Sequence, residues 1–236
     1  MKDEVLSKKR KELLRIIDKY GIVTREQIDQ FMKISYKFKV DSLKKLEALK
    51  FIKTYQLAQG HVHYITKRGS EYIGLNNRGY TSRDSDPNLA KLVHNLRIND
   101  CIIQEWQDKQ KNELVESIEI KSEREILSSY FREIDHGFRV ENRHAEKTRT
   151  MNRIPDFMML FSLSNGRKLT NAYEVELSHK NRTSLERKLK WYIDERAKGT
   201  IDNVTYYYDD EGIKRRVEEK AKNMGLSLFF ESIKRP

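Results

Sequence analysis

The chain has 236 residues, 37% hydrophobic and 35% charged, with a formal net charge of +11. Its single cysteine, Cys101, excludes intrachain disulfides and cysteine-based zinc clusters. No run of about 18 apolar residues occurs and no apolar stretch follows the basic N-terminus, so a cytoplasmic protein with no membrane segment is expected.

The charge is unevenly placed: residues 1–85 hold 19 Lys/Arg against 10 Asp/Glu, and residues 86–236 hold 28 against 26. A basic front joined to a nearly neutral back suggests that the front meets a polyanion. Nucleic acid fits better than a membrane surface, because no long amphipathic apolar stripe accompanies the charge.

In chain order, Leu13, Leu14, Ile16 and Ile17 give residues 8–19 the period of an amphipathic helix, which Gly21 ends. Thr24 with Gln27 forms a capping box for a short helix that turns Ile28, Phe31 and Met32 inward. Ser35 can cap a third helix, with Val40, Leu43, Leu46 and Leu49 buried and Lys37, Lys39, Lys44 and Lys45 projecting elsewhere. Residues 51–56 and 61–66 read as strands joined at Gln59-Gly60. Three short helices followed by a hairpin is the order of a winged helix-turn-helix over residues 1–80. The third helix would enter the major groove and the hairpin would be the wing. Lys37, Lys39, Lys44, Lys45, Lys53, Lys67 and Arg68 are the expected contacts to duplex DNA.

Residues 76–88 are polar and turn-rich, the expected boundary before a second domain over 88–236. There the pattern reads as a helix at 89–107, a strand at 113–121, and an irregular charged stretch at 122–151 containing Arg143, Lys147 and Arg149. Strands at 154–163 and 171–178, a helix at 183–198, a strand at 203–208, a helix at 213–223 and a strand at 226–230 follow. The whole is an α+β or α/β chain with a mixed sheet in its second part.

The chemistry-bearing residues lie on two of these strands. In Tyr173-Glu174-Val175-Glu176-Leu177, strand alternation puts Glu174 and Glu176 on one face. Asp156 joins that face only if the loop between the strands has an odd length. A Ser164–Gly166 loop sets Asp156 opposite Glu174, an Asn165–Arg167 loop sets it opposite Glu176, and a two-residue Asn165-Gly166 turn sends it to the other face. Three hard oxygen donors around one point suit Mg²⁺ or Mn²⁺, which can polarise a phosphodiester and activate water. The alternative is an acidic strand whose glutamates pair with Lys180, Arg182 or Lys188.

The Pro155-Asp156 strand, the Glu174-Val175-Glu176 strand and the helix after them resemble the PD-(D/E)xK nuclease fold. The whole chain resembles the replication-relaxation family, which includes MOBC-type plasmid relaxases; residues 92–100, with His94, Asn99 and Asp100, resemble its linking helix, and 188–192 its later helix. The resemblance implies that Asp156 and Glu174 hold the metal. It places Glu176 where the fold normally has lysine, with Lys180 or Lys188 supplying the missing cation. It further implies a plasmid mobilisation protein that nicks, or helps to nick, a transfer origin, with relaxosome proteins and a coupling protein as partners. A winged-helix transcriptional regulator with an inert second domain, and a metal-dependent double-strand endonuclease, are the alternatives. Glu105 and Ser122-Glu123-Arg124-Glu125 are weaker candidates for a further ligand or phosphate contact. No tyrosine sits beside a histidine triad, so hydrolytic nicking or none is expected; Tyr20 and Tyr192 are the first candidates for a covalent route.

Overall fold

Ser7 opens the first helix of the computed structural model, which describes residues 5–58, 60–75, 80–81, 87–135, 153–178 and 181–234. The chain divides into two compact units, Met1–Ile103 and Gln104–Pro236.

In the first unit, α1 (Lys8–Tyr20) is capped by the Ser7 side chain, which accepts the Arg10 amide, and ends at Gly21 with φ 77°, a conformation that costs glycine little. After β1 (Ile22–Thr24), Thr24 and Gln27 complete the reciprocal capping box of α2 (Arg25–Phe31). Ser35 accepts the Phe38 amide at the head of α3 (Tyr36–Ala48). β2 (Ile52–Leu57) and β3 (Gly60–Ile65) form an antiparallel hairpin, β1 pairs with the far side of β3, and α4 (Lys67–Tyr72) follows. β1 has only three residues, too few to show a strand period, and is a strand only because β3 supplies its hydrogen bonds.

The front of α5 (Leu89–Lys109) belongs to this unit. Leu92 is buried with Ile22, Val62 and Tyr64. Asn99 donates to the Ile22 carbonyl at 2.7 Å, and the Gln27 amide donates to the Leu96 carbonyl and to Asp100 at 3.0 and 2.7 Å. The units therefore divide after Ile103, inside a helix, rather than in the polar stretch at 76–88. The division follows the buried face of α5, whose Leu92 packs with β1 and β3.

The second unit runs β4 (Val115–Ser122), α6 (Glu123–Asp135), β5 (Phe157–Leu163), β6 (Lys168–Glu176), α7 (Arg182–Ala197), β7 (Asn203–Tyr208), α8 (Glu211–Asn223) and β8 (Phe229–Ser232). These strands form one mixed sheet in the order β4-β5-β6-β7-β8, antiparallel from β4 to β6 and parallel from β6 to β8. Leu185, Leu189 and Tyr192 of α7 and Ile213, Val217 and Ala221 of α8 pack with Ala172, Val204 and Tyr206, so both helices cover one face. The chain is thus α+β, with a three-stranded antiparallel sheet and a five-stranded mixed one.

The start of the stretch expected to be irregular is the helix α6. Its signal is a capping box: the Ser122 amide donates to Glu125 at 3.0 Å and the Glu125 amide to the Ser122 hydroxyl at 3.3 Å. These residues cap a helix. Arg143, Lys147 and Arg149 lie outside the described residues.

Gly69 packs directly against the backbone at Phe51. A Cβ there would lie 2.1 Å from the Phe51 carbonyl oxygen, which also accepts the Thr66 amide at 3.0 Å. Gly69→Ala should therefore destabilise the protein by at least about 2 kcal/mol, read as a lower urea midpoint. An unchanged midpoint would contradict this packing.

Candidate functional site

The β5–β6 loop decides whether the acidic residues meet. The Leu163 amide donates to the Arg167 carbonyl and the Gly166 amide to the Leu163 carbonyl, both at 2.9 Å, and Gly166 has φ 78°. The loop is thus Ser164–Gly166, the first of the two odd-length options. The ladder ends at Phe157↔Tyr173, and Asp156 stands just before it, beside β6. The Asp156 amide donates to the Tyr173 carbonyl at 3.0 Å, and its Oδ2 accepts the Val175 amide at 2.7 Å. Backbone and side chain together hold Asp156 against β6.

Glu174 is fully buried and Glu176 nearly so. Burying a carboxylate is costly unless a cation and hydrogen bonds meet it. Here α7 supplies both: the Lys188 ammonium lies 2.7 Å from Glu174 Oε1, and the Tyr192 hydroxyl donates to the same oxygen. Lys188 also donates to the Ile154 carbonyl, which ties the approach to β5 to the helix. Of the three cations offered as partners, Lys188 takes the role. Arg182 bonds Glu186 at 3.3 Å, and Lys180 lies outside the described residues.

Parallel pairing sets Tyr206 beside Glu174 on the same face. Its ring packs near Phe230, and its buried hydroxyl has no hydrogen-bond partner among the described residues. Burial, then the charges of Glu174, Glu176 and Asp156, push this hydroxyl well above the ordinary tyrosine range. Tyr192 is raised likewise, by burial first and Glu174 second. The tyrosine-rich strand at 203–208 was visible in the sequence, but which hydroxyl reaches the acidic face depends on the β6–β7 register, which has no local signal.

The opposite face of β6 holds a separate cluster. Glu105 accepts the Tyr173 hydroxyl on Oε1 at 2.9 Å and the Tyr207 hydroxyl on Oε2 at 2.5 Å, with Lys109 3.2 Å from Oε1. Glu105 is thus a structural acceptor rather than a further ligand of the Glu174 site. Tyr20 is buried and stacked on Phe31 at 4.0 Å, and Tyr192 is buried on Glu174. Neither tyrosine offered for a covalent route stands open to DNA.

Among the described residues, no three His, Cys, Asp or Glu side chains converge closely enough to hold a metal ion. The expected three-carboxylate centre of Asp156, Glu174 and Glu176 is therefore not assembled in this arrangement. What is assembled is the Asp156–Glu174 pair. Both are hard oxygen donors, the type of ligand a divalent ion such as Mg²⁺ takes.

On the first unit, Lys37, Lys44, Lys67 and Arg68 are exposed, while Lys45 and Lys53 are half-buried. Lys67 stands 3.6 Å from Glu71, and Arg68 lies over the Phe51 ring at 5.6 Å. Lys39 corrects the expected DNA-contact set. It is buried, and its ammonium bonds Asp29 and the Arg25 carbonyl, so it joins α3 to α2 instead of facing phosphate.

His63 lies buried on β3, its Nδ1 3.0 Å from the Thr54 hydroxyl. Burial, then the charges of Arg25 and His61, hold its pKa down to about 4, against the opposing charge of Glu26. The unfolded ring takes its proton near pH 6.5, the folded ring only near 4. Between these values the unfolded chain binds more protons, so stability should be full above about pH 6.5 and fall as pH is lowered toward 4. The loss should reach up to about 3 kcal/mol. Melting curves of wild type and His63→Gln against pH isolate this part; parallel curves would contradict it.

The Lys188–Glu174 pair makes a further prediction. Lys188→Met leaves a carboxylate buried without its cation and should cost about 3–5 kcal/mol, and adding Glu174→Leu should recover most of that loss. Urea unfolding of both variants reads this, and a Lys188→Met loss below about 1 kcal/mol would contradict the pairing.

No helix among the described residues is long and apolar enough to cross a membrane. Compared with family models, curated proteins and solved structures, the chain matches none.

Proposed function

We propose that this chain binds duplex DNA through its first unit and nicks it, or assists its nicking, with a divalent metal held by its second. The observation that carries the reading is Asp156, bonded to β6 on either side of Glu174, together with the Lys188 ammonium 2.7 Å from Glu174. Two carboxylates and one lysine are the parts that metal-assisted phosphodiester hydrolysis needs: ligands for the ion, and a cation to orient water or steady developing charge. In the resembled fold the lysine sits two residues after the glutamate. Here that position is Glu176, and the cation comes from α7. Asp156 and Glu174 would hold the metal, which when bound would lower the pKa of an attacking water. An antiparallel β4-β5-β6 meander followed by α7 and a parallel β7 supports the nuclease-like reading of this unit.

The first unit supports the DNA-binding half. Its order α1, β1, α2, α3, β2, β3, with sheet order β1-β3-β2, suits a winged helix whose α3 enters the major groove. An open depression at the head of α3 is lined by Lys9, Lys33, Ser35 and Tyr36, and Tyr36 is 70% exposed. The finer assignment of the duplex to a plasmid transfer origin, with relaxosome proteins as partners, rests on the family resemblance. A second reading, a DNA-binding regulator that does not cleave, is favoured by one observation: Glu174 is fully buried and already bonded to Lys188 and Tyr192.

One experiment separates the two readings. The full chain is incubated with supercoiled plasmid carrying a candidate transfer origin, with Mg²⁺, Mn²⁺ or EDTA, and the ends are mapped. Metal-dependent open circles that disappear in Asp156→Asn support the nickase. Binding without any strand break overturns it in favour of the regulator, and linear product means a double-strand endonuclease. Lys37→Ala with Lys44→Ala should weaken duplex binding several-fold and flatten its salt dependence, without lowering the melting temperature. Lys39→Ala should lower the melting temperature instead, because it removes the buried side chain that ties α3 to α2.

A further inference from the structure

Among the described residues, Tyr206 is the tyrosine of the acidic face whose buried hydroxyl has no hydrogen-bond partner. Tyr192 donates to Glu174, and on the far face Tyr173 and Tyr207 donate to Glu105. Each of those hydroxyls satisfies a buried carboxylate. Tyr206 is 1% exposed, stands in register with Glu174, and has a buried hydroxyl with no hydrogen-bond partner among the described residues. A buried hydroxyl left unsatisfied is destabilising relative to one that is bonded. Phenylalanine would fill the same space without that cost.

We infer that Tyr206 is an outer-sphere contact of a hydrated divalent cation held by Asp156 and Glu174, an inference that rests on the metal-site reading above. Two carboxylates leave most positions of a six-coordinate ion to water. Those waters are polarised by the ion and need acceptors. A phenol oxygen offers lone pairs to such a water and can turn its own proton toward the carboxylate face. The occupant must also be small, because Glu174, Tyr192 and Tyr206 are all buried. A hydrated ion meets both requirements, and a bulky organic ligand meets neither. Tyr206 thus positions water around the ion and does not ligate it directly, in the way second-layer partners tune metal sites.

The test uses the full chain and Mn²⁺ alone, followed by thermal melting and by the electron paramagnetic resonance signal of unbound Mn²⁺. Tyr206→Phe should melt no lower than wild type without metal, since the hydroxyl makes no bond there. It should bind Mn²⁺ about 10- to 100-fold more weakly, the usual cost of losing such a partner, with a correspondingly smaller metal-induced rise in melting temperature. Asp156→Asn, which removes a ligand, should abolish the rise. Equal Mn²⁺ affinity in wild type and Tyr206→Phe, with the Asp156→Asn effect intact, overturns this inference and leaves the metal site standing. No Mn²⁺ binding by wild type overturns both. A Tyr206→Phe protein that fails to fold or melts well below wild type also overturns it, because the hydroxyl would then have a structural partner.

Discussion

The second unit depends on how one carboxylate is kept out of water. Glu174 sits on a central strand with no exposure, and an isolated charge there would be far too costly. Lys188 and Tyr192 meet it from α7, one turn apart on the helix, and both bond the same oxygen. Lys188 also bonds the Ile154 carbonyl just before β5, so one ammonium fixes three segments that are distant in sequence. Its removal would harm more than one pair. The helix would lose its polar anchor to the sheet, and the chain entering β5 would lose the contact that holds Asp156 in place beside β6.

The first unit uses the same device on a smaller scale. A chain with 37% hydrophobic residues has limited apolar area to bury. Its helix ends are accordingly well satisfied: Ser7, Thr24, Ser35 and Thr66 each accept an amide from the first turn they precede. Lys39 and Asp29 tie α3 to α2, and Asn99 and Gln27 join α5 to the loop side of β1 and to α2. The excess positive charge stays outside these bonds, on Lys37, Lys44 and Arg68, where water screens it until a polyanion arrives.

What could be read from the sequence was local. The capping box at Thr24, the cap at Ser35 and the glycine at 21 mark the first helices nearly to the residue. The alternation of Glu174 and Glu176 against Tyr173 and Val175 placed them on opposite faces before any pairing was known. The hairpin offered two odd registers, and only the hydrogen bonds of Leu163 and Gly166 chose between them. What depended on distant pairing was hidden. Lys39 shares its helix with Lys37 and Lys44 and is chemically identical, yet the position of Asp29 on α2 buries it. β1 exists only through β3. The Ser122–Glu125 capping box had a local signal that the surrounding charge obscured, and the stretch after it carried no period to set against that charge.

The two faces of β6 show why one acidic residue is a site and another is scaffold. Glu105 and Glu174 are both buried carboxylates bonded by tyrosines and a lysine. Glu105 takes one phenol on each oxygen, which leaves its charge spread over a closed set of donors. Glu174 takes its lysine and its phenol on one oxygen, and a second carboxylate, Asp156, is bonded to the next residue of its strand, Val175. Neighbouring like charges raise the free energy of an acidic face unless a cation binds between them. A fold that sought only stability would replace Asp156 by a neutral residue that still accepts the Val175 amide, such as asparagine. Asp156 returns one hydrogen bond to the fold, from the Val175 amide, while its charge adds to that of Glu174 beside a buried phenol with no hydrogen-bond partner among the described residues. That combination is what makes the Glu174 face, and not the Glu105 face, the place to look for chemistry.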